Sequence, residues 1–289
     1  MDVYGVKQII VNADDCGRHK LMNAAVEKGL QEGCLRSATL MPGGRAFEDA
    51  IRIAQTYPEL GVGIHLTMVN GYPVLSPEEI PSLVTPEGVF WPDHMSFLKK
   101  YFTGQIKLSE LKKELAAQLE KVQATGIKIS HVDSHQHLHT LPGIIDFVLT
   151  LAKDAGIKAI RIPKTPIKAE EAELNSLGQL IGRTGLATLA KIAAAKARRK
   201  GFVMPDHFAG LVAGGAVDAA SLREICSQLK EGTTEVMMHP GVNNRILKKE
   251  TQWDHDYESE LHAIVSPEVM AVLHKQHVKI GNFNFLTKA

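Results

Sequence analysis

Apolar residues follow two alternating patterns along this chain. Short, nearly continuous runs predict strands at 6–13, 36–41, 61–66, 128–134, 157–162, 234–238 and 277–281. Longer stretches carrying one apolar stripe predict helices at 20–33, 46–56, 108–124, 142–155, 218–230 and 256–274, the last with a break near Pro267. Strands alternating with helices imply a parallel sheet covered by helices, either closed into a barrel or open and doubly wound. No GxGxxG follows the first strand and no GxxxxGK[ST] occurs, so nucleotide-binding sheets lose their main signal. Candidate ligands instead fall at the C-terminal ends of several separate strands, where barrel enzymes place their chemistry. The expected fold is therefore α/β, a (β/α) barrel with parallel strands inside and helices outside.

Two stretches interrupt the rhythm. Residues 68–105 are rich in proline and carry Tyr72, Phe90, Trp91 and Tyr101, and residues 163–205 contain an Ala-rich helix, 187–200, ending in Lys196, Arg198, Arg199 and Lys200. Both are expected as insertions over the C-terminal mouth of the barrel. The aromatic rings of the first either stack against a sugar-like ring or pack in a small satellite core. The basic end of the second is explained by cations favouring the last turn of a helix, with a membrane-surface or lipid-carrier contact as the alternative.

Length and charge narrow the classes. The 289 residues, 44% of them hydrophobic, can bury one large core, so a single domain over 1–289 is expected. A formal charge of +1 gives no electrostatic reason to expect nucleic acid or an anionic membrane, and a small or neutral partner fits better. No run is long enough to span a membrane. The start of the sequence lacks the basic stretch and apolar core of a secretory leader. Cys16, Cys34 and Cys226 are odd in number and have no CxxC spacing, so a reducing compartment, the cytoplasm, is expected.

The densest chemistry lies in His131-Val132-Asp133-Ser134-His135-Gln136-His137-Leu138-His139. On a strand, positions 131, 133 and 135 share a face, which converges imidazole and carboxylate. His135 is the strongest ligand candidate there, while His137 and His139 are open between substrate contact, support of a ligand and packing. Asp14 and Asp15 end the first strand, and both reach one site only if the chain turns at Cys16-Gly17; otherwise Asp15 caps the next helix. His65 gains a ligand role only in company with these groups. His239, before Pro240-Gly241, is a candidate proton donor. Arg161 is placed to bind substrate or to orient a carboxylate, with a buried ion pair as the other reading. His207 is a weaker substrate candidate. Two imidazoles and one carboxylate would leave coordination positions open on a metal, which marks a reactive site and admits zinc, magnesium or manganese.

Val11-Asn12-Ala13-Asp14-Asp15-Cys16-Gly17, Gly61-Val62-Gly63-Ile64-His65-Leu66-Thr67, the 131–139 run, Arg161-Ile162-Pro163 and Met238-His239-Pro240-Gly241 together resemble the YdjC-type carbohydrate deacetylases, the ChbG/HpnK group, over nearly the whole chain. The resemblance implies a distorted barrel, often a homodimer, with one divalent ion (magnesium or zinc first, manganese, cobalt or nickel after them) at the positions matching Asp15, His65 and His135. Asp14 matches the base and His239 the assisting acid, with an acetylated sugar as substrate and acetate as product. Substrate contacts would fall to Arg161, His137 and His207. Cys16 stands where Phe is common, and Pro42-Gly43-Gly44 replaces a segment that often carries Asn. Hydrolysis of another bond, such as a phosphoester, and sugar binding without turnover are the rival readings.

Overall fold

In the computed structural model, which describes residues 6–163, 177–211 and 215–287, the expected alternation is realised. The order is β1 (Lys7–Cys16), α1 (Lys20–Glu32), β2 (Leu35–Leu40), α2 (Phe47–Thr56), β3 (Gly61–Leu66), α3 (His94–Phe102), α4 (Leu108–Gln123), β4 (Val132–Ser134) and α5 (Ile144–Asp154). There follow α6 (Leu177–Arg199), β5 (His207–Ala209), α7 (Ala219–Ser227), β6 (Gly232–Met238), α8 (Asn244–Thr251), α9 (Tyr257–Ile264), α10 (Pro267–Lys275) and β7 (Lys279–Ile280). Every strand pairing is parallel, in the order β4-β3-β2-β1-β6-β5, with β7 on the lower edge of β1.

Three expected strands are curtailed. The 277–281 run keeps only Lys279–Ile280. The 128–134 run keeps only Val132–Ser134 in a ladder, although Ser130 still donates to Val62 and His131 still accepts from Ile64. The 157–162 run forms no strand, because it is held by single bridges, Val132 to Ile160 on one side and Ala159 to Val203 on the other. Pro163, which has no amide hydrogen, ends it. These bridges carry the hydrogen bonding from β4 towards β5, so the ring closes through irregular segments and the barrel is distorted.

Side-chain alternation then divides the protein into two environments. Outward residues such as Ile9, Val11, Ala13, Val62, Ile64, Val132 and Val236 join the helices in one continuous apolar core. Each such aliphatic side chain contributes about 1.5–3 kcal/mol on full burial. Inward residues are mostly polar: Asn12, Asp14, Ser37, Thr39, His65, Asp133, Arg161 and Glu235 are all buried. Below them Ile10, Ala159 and Phe283 form a small apolar plug.

The insertions differ from expectation. In the first, Phe90 is buried, Trp91 donates to Ser82 O with Lys100 over its ring, and Tyr101 stacks on Phe97 and donates to Pro142 O. Trp91 and Tyr101 are thus structural, and Tyr72 keeps an exposed ring. In the second, Ala190, Ala193, Ala194 and Ala197 form the buried stripe of α6. Its basic end is tied to α5, Lys196 to Asp146 at 2.6 Å and Lys200 to Thr150 at 2.7 Å. Part of this insertion, 164–176, lies outside the described residues. Among the described residues no helix is long and apolar enough to cross a membrane.

Candidate metal centre and active site

The upper end of β1 departs from regular pleating. Ala13 pairs with Ala38 and Cys16 with Leu40, so three steps on β1 face two on β2, and Asp15 adopts a left-handed φ of 59°. This bulge re-aims the chain so that adjacent carboxylates reach one side of the sheet. Gly17, also at positive φ (88°), turns the chain away and donates to Asn23 Oδ1 at 2.7 Å. Asp15 does not cap α1, since that place is taken by His19, whose Nδ1 accepts from Leu21 N.

Three side chains converge above this bulge. Asp15 Oδ1 lies 3.2 Å from His65 Nε2 and 2.9 Å from His135 Nδ1. Asp15 Oδ1, His65 Nε2 and His135 Nε2 are buried without a hydrogen-bond partner. Metal bonds of about 2.1 Å at near-right angles set ligand atoms about 3 Å apart, so Asp15 Oδ1 has that spacing from His65 Nε2 and from His135 Nδ1, and two of these three atoms, Asp15 Oδ1 and His65 Nε2, lack a hydrogen-bond partner. His65 Nδ1 is 2.7 Å from Asp133 Oδ1, which leaves Nε2 facing Asp15. Arg18 holds the other oxygen of Asp15 at 2.9 Å. Burial opposes charge on His65, yet Asp133, Asp14 and Asp15 overcome it and pull the imidazole up to about 10. Asp14, His65 and Asp133 form a second possible triad, but Arg161 already occupies both of its carboxylates.

Asp14 stands beside this centre in a fixed pose. Arg161 donates to both its oxygens, Nη1 to Oδ2 at 2.5 Å and Nη2 to Oδ1 at 2.7 Å, and Asn12 Nδ2 adds a bond of 2.8 Å. Ser37 in turn orients Asn12 at 2.6 Å. Burial pushes the Asp14 carboxyl up, but Arg161 and His65 outweigh it and hold it below its ordinary value. His239 follows β6 directly, with Nε2 4.0 Å from Asp14 Oδ2. Its backbone N–H donates to Glu260, and its ring meets those of Trp253 and His255 edge-on.

A family model described as YdjC-like protein matches residues 8–275. The chain belongs to the YdjC-like family. It is 30% identical over 282 residues to a carbohydrate deacetylase of Brevibacillus brevis, covering 96% of this chain and 99% of that one. A carbohydrate deacetylase of Thermoanaerobacter pseudethanolicus is 27% identical over 281 residues, with 97% and 100% covered. A crystal structure from Enterococcus faecalis V583, described as a candidate cellobiose-phosphate cleavage protein, superposes with a TM-score of 0.72 at 22% identity, over 97% of this chain and 99% of that one, and shares its fold.

Within this YdjC-like chain, two expected substrate contacts are placed elsewhere. Arg161 is fully buried, with Nη1 2.8 Å from Asp133 Oδ2 and Nε donating to Glu235 Oε1 at 2.6 Å, so it orients Asp14 and is out of substrate's reach. His207 pairs with Thr234, which is level with Ile9. Five residues separate that level from Asp14, roughly 16 Å along the strand, so His207 lies at the opposite end and meets Glu231 O. His137 is near the mouth. After Ser134 the strand parity ends, because Gln136 and His137 adopt φ of 54° and 57°. His137 faces Phe208 edge-on, with Nδ1 unpartnered, and burial pushes it down to about 3. His139 is structural, bridging Ser134 Oγ (2.6 Å) and Arg161 O (2.8 Å).

The glycines preceding His65 make room for other groups than its own ring. A Cβ at Gly63 would fall 2.3 Å from the His131 ring, and one at Gly61 would strike Asn282. Sequence reasoning did not single out Asn12, Arg18 or Glu235 as supports. Glu235 had a readable signal, a lone carboxylate inside the apolar run Val236-Met237-Met238 and the threonines before it. Arg18 had none, since its reach to Asp15 and Asn70 depends on the turn at Gly17.

A cavity of about 440 Å³ opens beside the centre, lined among others by Arg18, Gly43, Tyr72, Thr251 and Gln252. Gly43 and Gly44 form part of its wall, and the backbones approach closely there: a Cβ at Gly43 would sit 1.8 Å from Tyr72 O. Cys16, in the expected Phe position, is buried and its thiol is pushed up to about 12 by that burial, so it is inert.

Proposed function

We propose that this protein is a metal-dependent deacetylase of N-acetylated amino sugars, releasing acetate and a free amine. The observation that carries the reading is the convergence of Asp15 Oδ1, His65 Nε2 and the His135 ring next to an arginine-held Asp14, with Asp15 Oδ1 and His65 Nε2 unpartnered. The relatives named as carbohydrate deacetylases support it over nearly their full length. Asp15, His65 and His135 would hold one divalent ion, zinc or magnesium first, with manganese, cobalt and nickel as further candidates. Such an ion lowers the pKa of water and polarises the acetamido carbonyl.

The residues of the chain supply the proton transfers. Asp14, ionised and clamped by Arg161, takes a proton from the attacking water as the new C–O bond forms at the acetyl carbon. Burial keeps His239 below its ordinary pKa, so at neutral pH it is an unprotonated base that must first receive a proton. Asp14 Oδ2, 4.0 Å away, is placed to supply it. His239 then protonates the amine nitrogen as the C–N bond breaks. The cavity accommodates the remainder of the sugar.

The test is acetate release from N-acetylglucosamine, chitobiose and a lipid-linked acetylated sugar, before and after EDTA, with each of the five ions restored in turn. Acetate release that EDTA abolishes and an ion restores is expected. Release unaffected by chelation, or none from any acetylated sugar, would overturn the reading, and phosphate release from a sugar phosphate would replace it.

A further inference from the structure

The segment joining α8 to α9 carries three aromatic rings within or next to it, and one differs from the rest. His255 and Tyr257 are buried, whereas Trp253 is 39% exposed. One face of its indole is stacked on His255, with centroids 4.1 Å apart and planes at 22°. Its ring is perpendicular to His239, at 5.0 Å, and to Tyr257, at 5.9 Å. The indole is thus fixed by three neighbours and still presents apolar surface to solvent. It does so directly beside the side chain placed to protonate the departing amine. Gln252, the preceding residue, adopts a φ of 55° and lines the cavity with Arg18 and Tyr72. The exposed indole therefore lies against His239 and one residue along the chain from the cavity wall.

We propose that Trp253 is the platform for the pyranose ring that bears the acetamido group, an inference that rests on the deacetylase reading above. A pyranose has one face of C–H groups and a rim of hydroxyls, so an aromatic plane recognises the first while the rim stays hydrated or bonded. The indole is already immobilised by His255 and Tyr257, so substrate binding orders little further side chain. Stacking there sets the sugar ring against His239 and leaves its attached unit directed into the cavity. Trp253 acts as a specificity residue for a cyclic acetamido sugar over an open-chain acetamide.

The chain has two tryptophans, Trp91 and Trp253, which makes the indole its own reporter. Tryptophan emission is titrated with chitobiose in the metal-loaded wild type, in Trp91→Phe and in Trp253→Phe. A saturable change is expected in the first two and its loss in the third. In parallel, Trp253→Ala should raise KM for chitobiose about tenfold, with kcat held within about threefold and bound metal unchanged. Trp253→Tyr should recover part of the KM. No emission change at concentrations that saturate turnover, or a KM within about twofold of wild type in Trp253→Ala, would overturn the proposal. If no sugar yields acetate, the deacetylase reading fails by itself. The emission titration still decides Trp253, and silence towards every acetylated sugar would sink it.

Discussion

Two levels of the barrel interior each bury an imidazole, one on β3 and one just before β4, and the two have opposite settings. At the lower level His131 lies flat on Phe283, with centroids 3.4 Å apart, and meets the Ser130 hydroxyl at 2.9 Å. It has no ion-pair partner among the described residues, and burial pushes it down to about 3. At the upper level His65 sits among Asp14, Asp15 and Asp133, and is pulled up to about 10. Both are fully enclosed, so burial does not separate them. The carboxylates do: a buried imidazole with aromatic and hydroxyl neighbours is packed as a structural ring, and one surrounded by buried carboxylates has the setting that a cation requires.

The sharpest way to break this contrast is at the upper level. Asp14→Asn should lower turnover by about 10² to 10⁴ while bound metal is retained, because the amide keeps the shape and loses the base. His65→Ala should remove both metal and turnover, read by metal analysis of the purified protein. Retained metal in His65→Ala would dissolve the distinction between the two histidines. At the lower level Phe283→Ala should cost about 3–5 kcal/mol of stability in a urea titration, with metal content unchanged.

Arg161 joins the two levels, so its loss is expected to act on both stability and turnover. Arg161→Met leaves Asp14, Asp133 and Glu235 buried without their shared cation and should destabilise by about 3–5 kcal/mol. Glu235 offers a smaller and pH-dependent effect. Burial first, then Asp14 and Asp133, push its carboxyl up to about 7, against the pull of Arg161. A raised folded-state value means its contribution is complete below its ordinary value of 4.5 and is lost as pH rises towards 7. Compared with wild type, Glu235→Gln should therefore gain about 1–3 kcal/mol between pH 4.5 and 7.5, measured by urea midpoints. A flat difference would show that Glu235 titrates as in water. Least of all, Lys196→Ala should change stability by under about 1 kcal/mol, since its tie to Asp146 is on the surface.

The run of apolar segments made the barrel legible, and so did most element positions from β1 to α10. Regular alternation is a local property, and a parallel sheet under helices is the arrangement that buries such segments. The segment 157–162 was misread because its apolar pattern suits a strand, whereas its pairing on each side depends on Val132 and Val203 arriving from far along the chain. Strand parity carried Asp133 and His135 correctly and left His137 open, and there the backbone enters the left-handed region.

By itself the sequence determined which residue types lie at strand ends: Asp14, Asp15, His65, His135 and His239, each a short step beyond an apolar run. Composition, charge balance and the absence of a nucleotide loop are fixed there as well. The tertiary structure alone decided which of them meet and what surrounds them. Register set His207 at the wrong end, and the bulge at Asp15 turned two adjacent carboxylates to one side. Full burial made Arg161 the anchor of Asp14. Pattern specifies the face on which a side chain emerges, but distances and electric fields arise between segments far apart in the chain, and only folding brings those together.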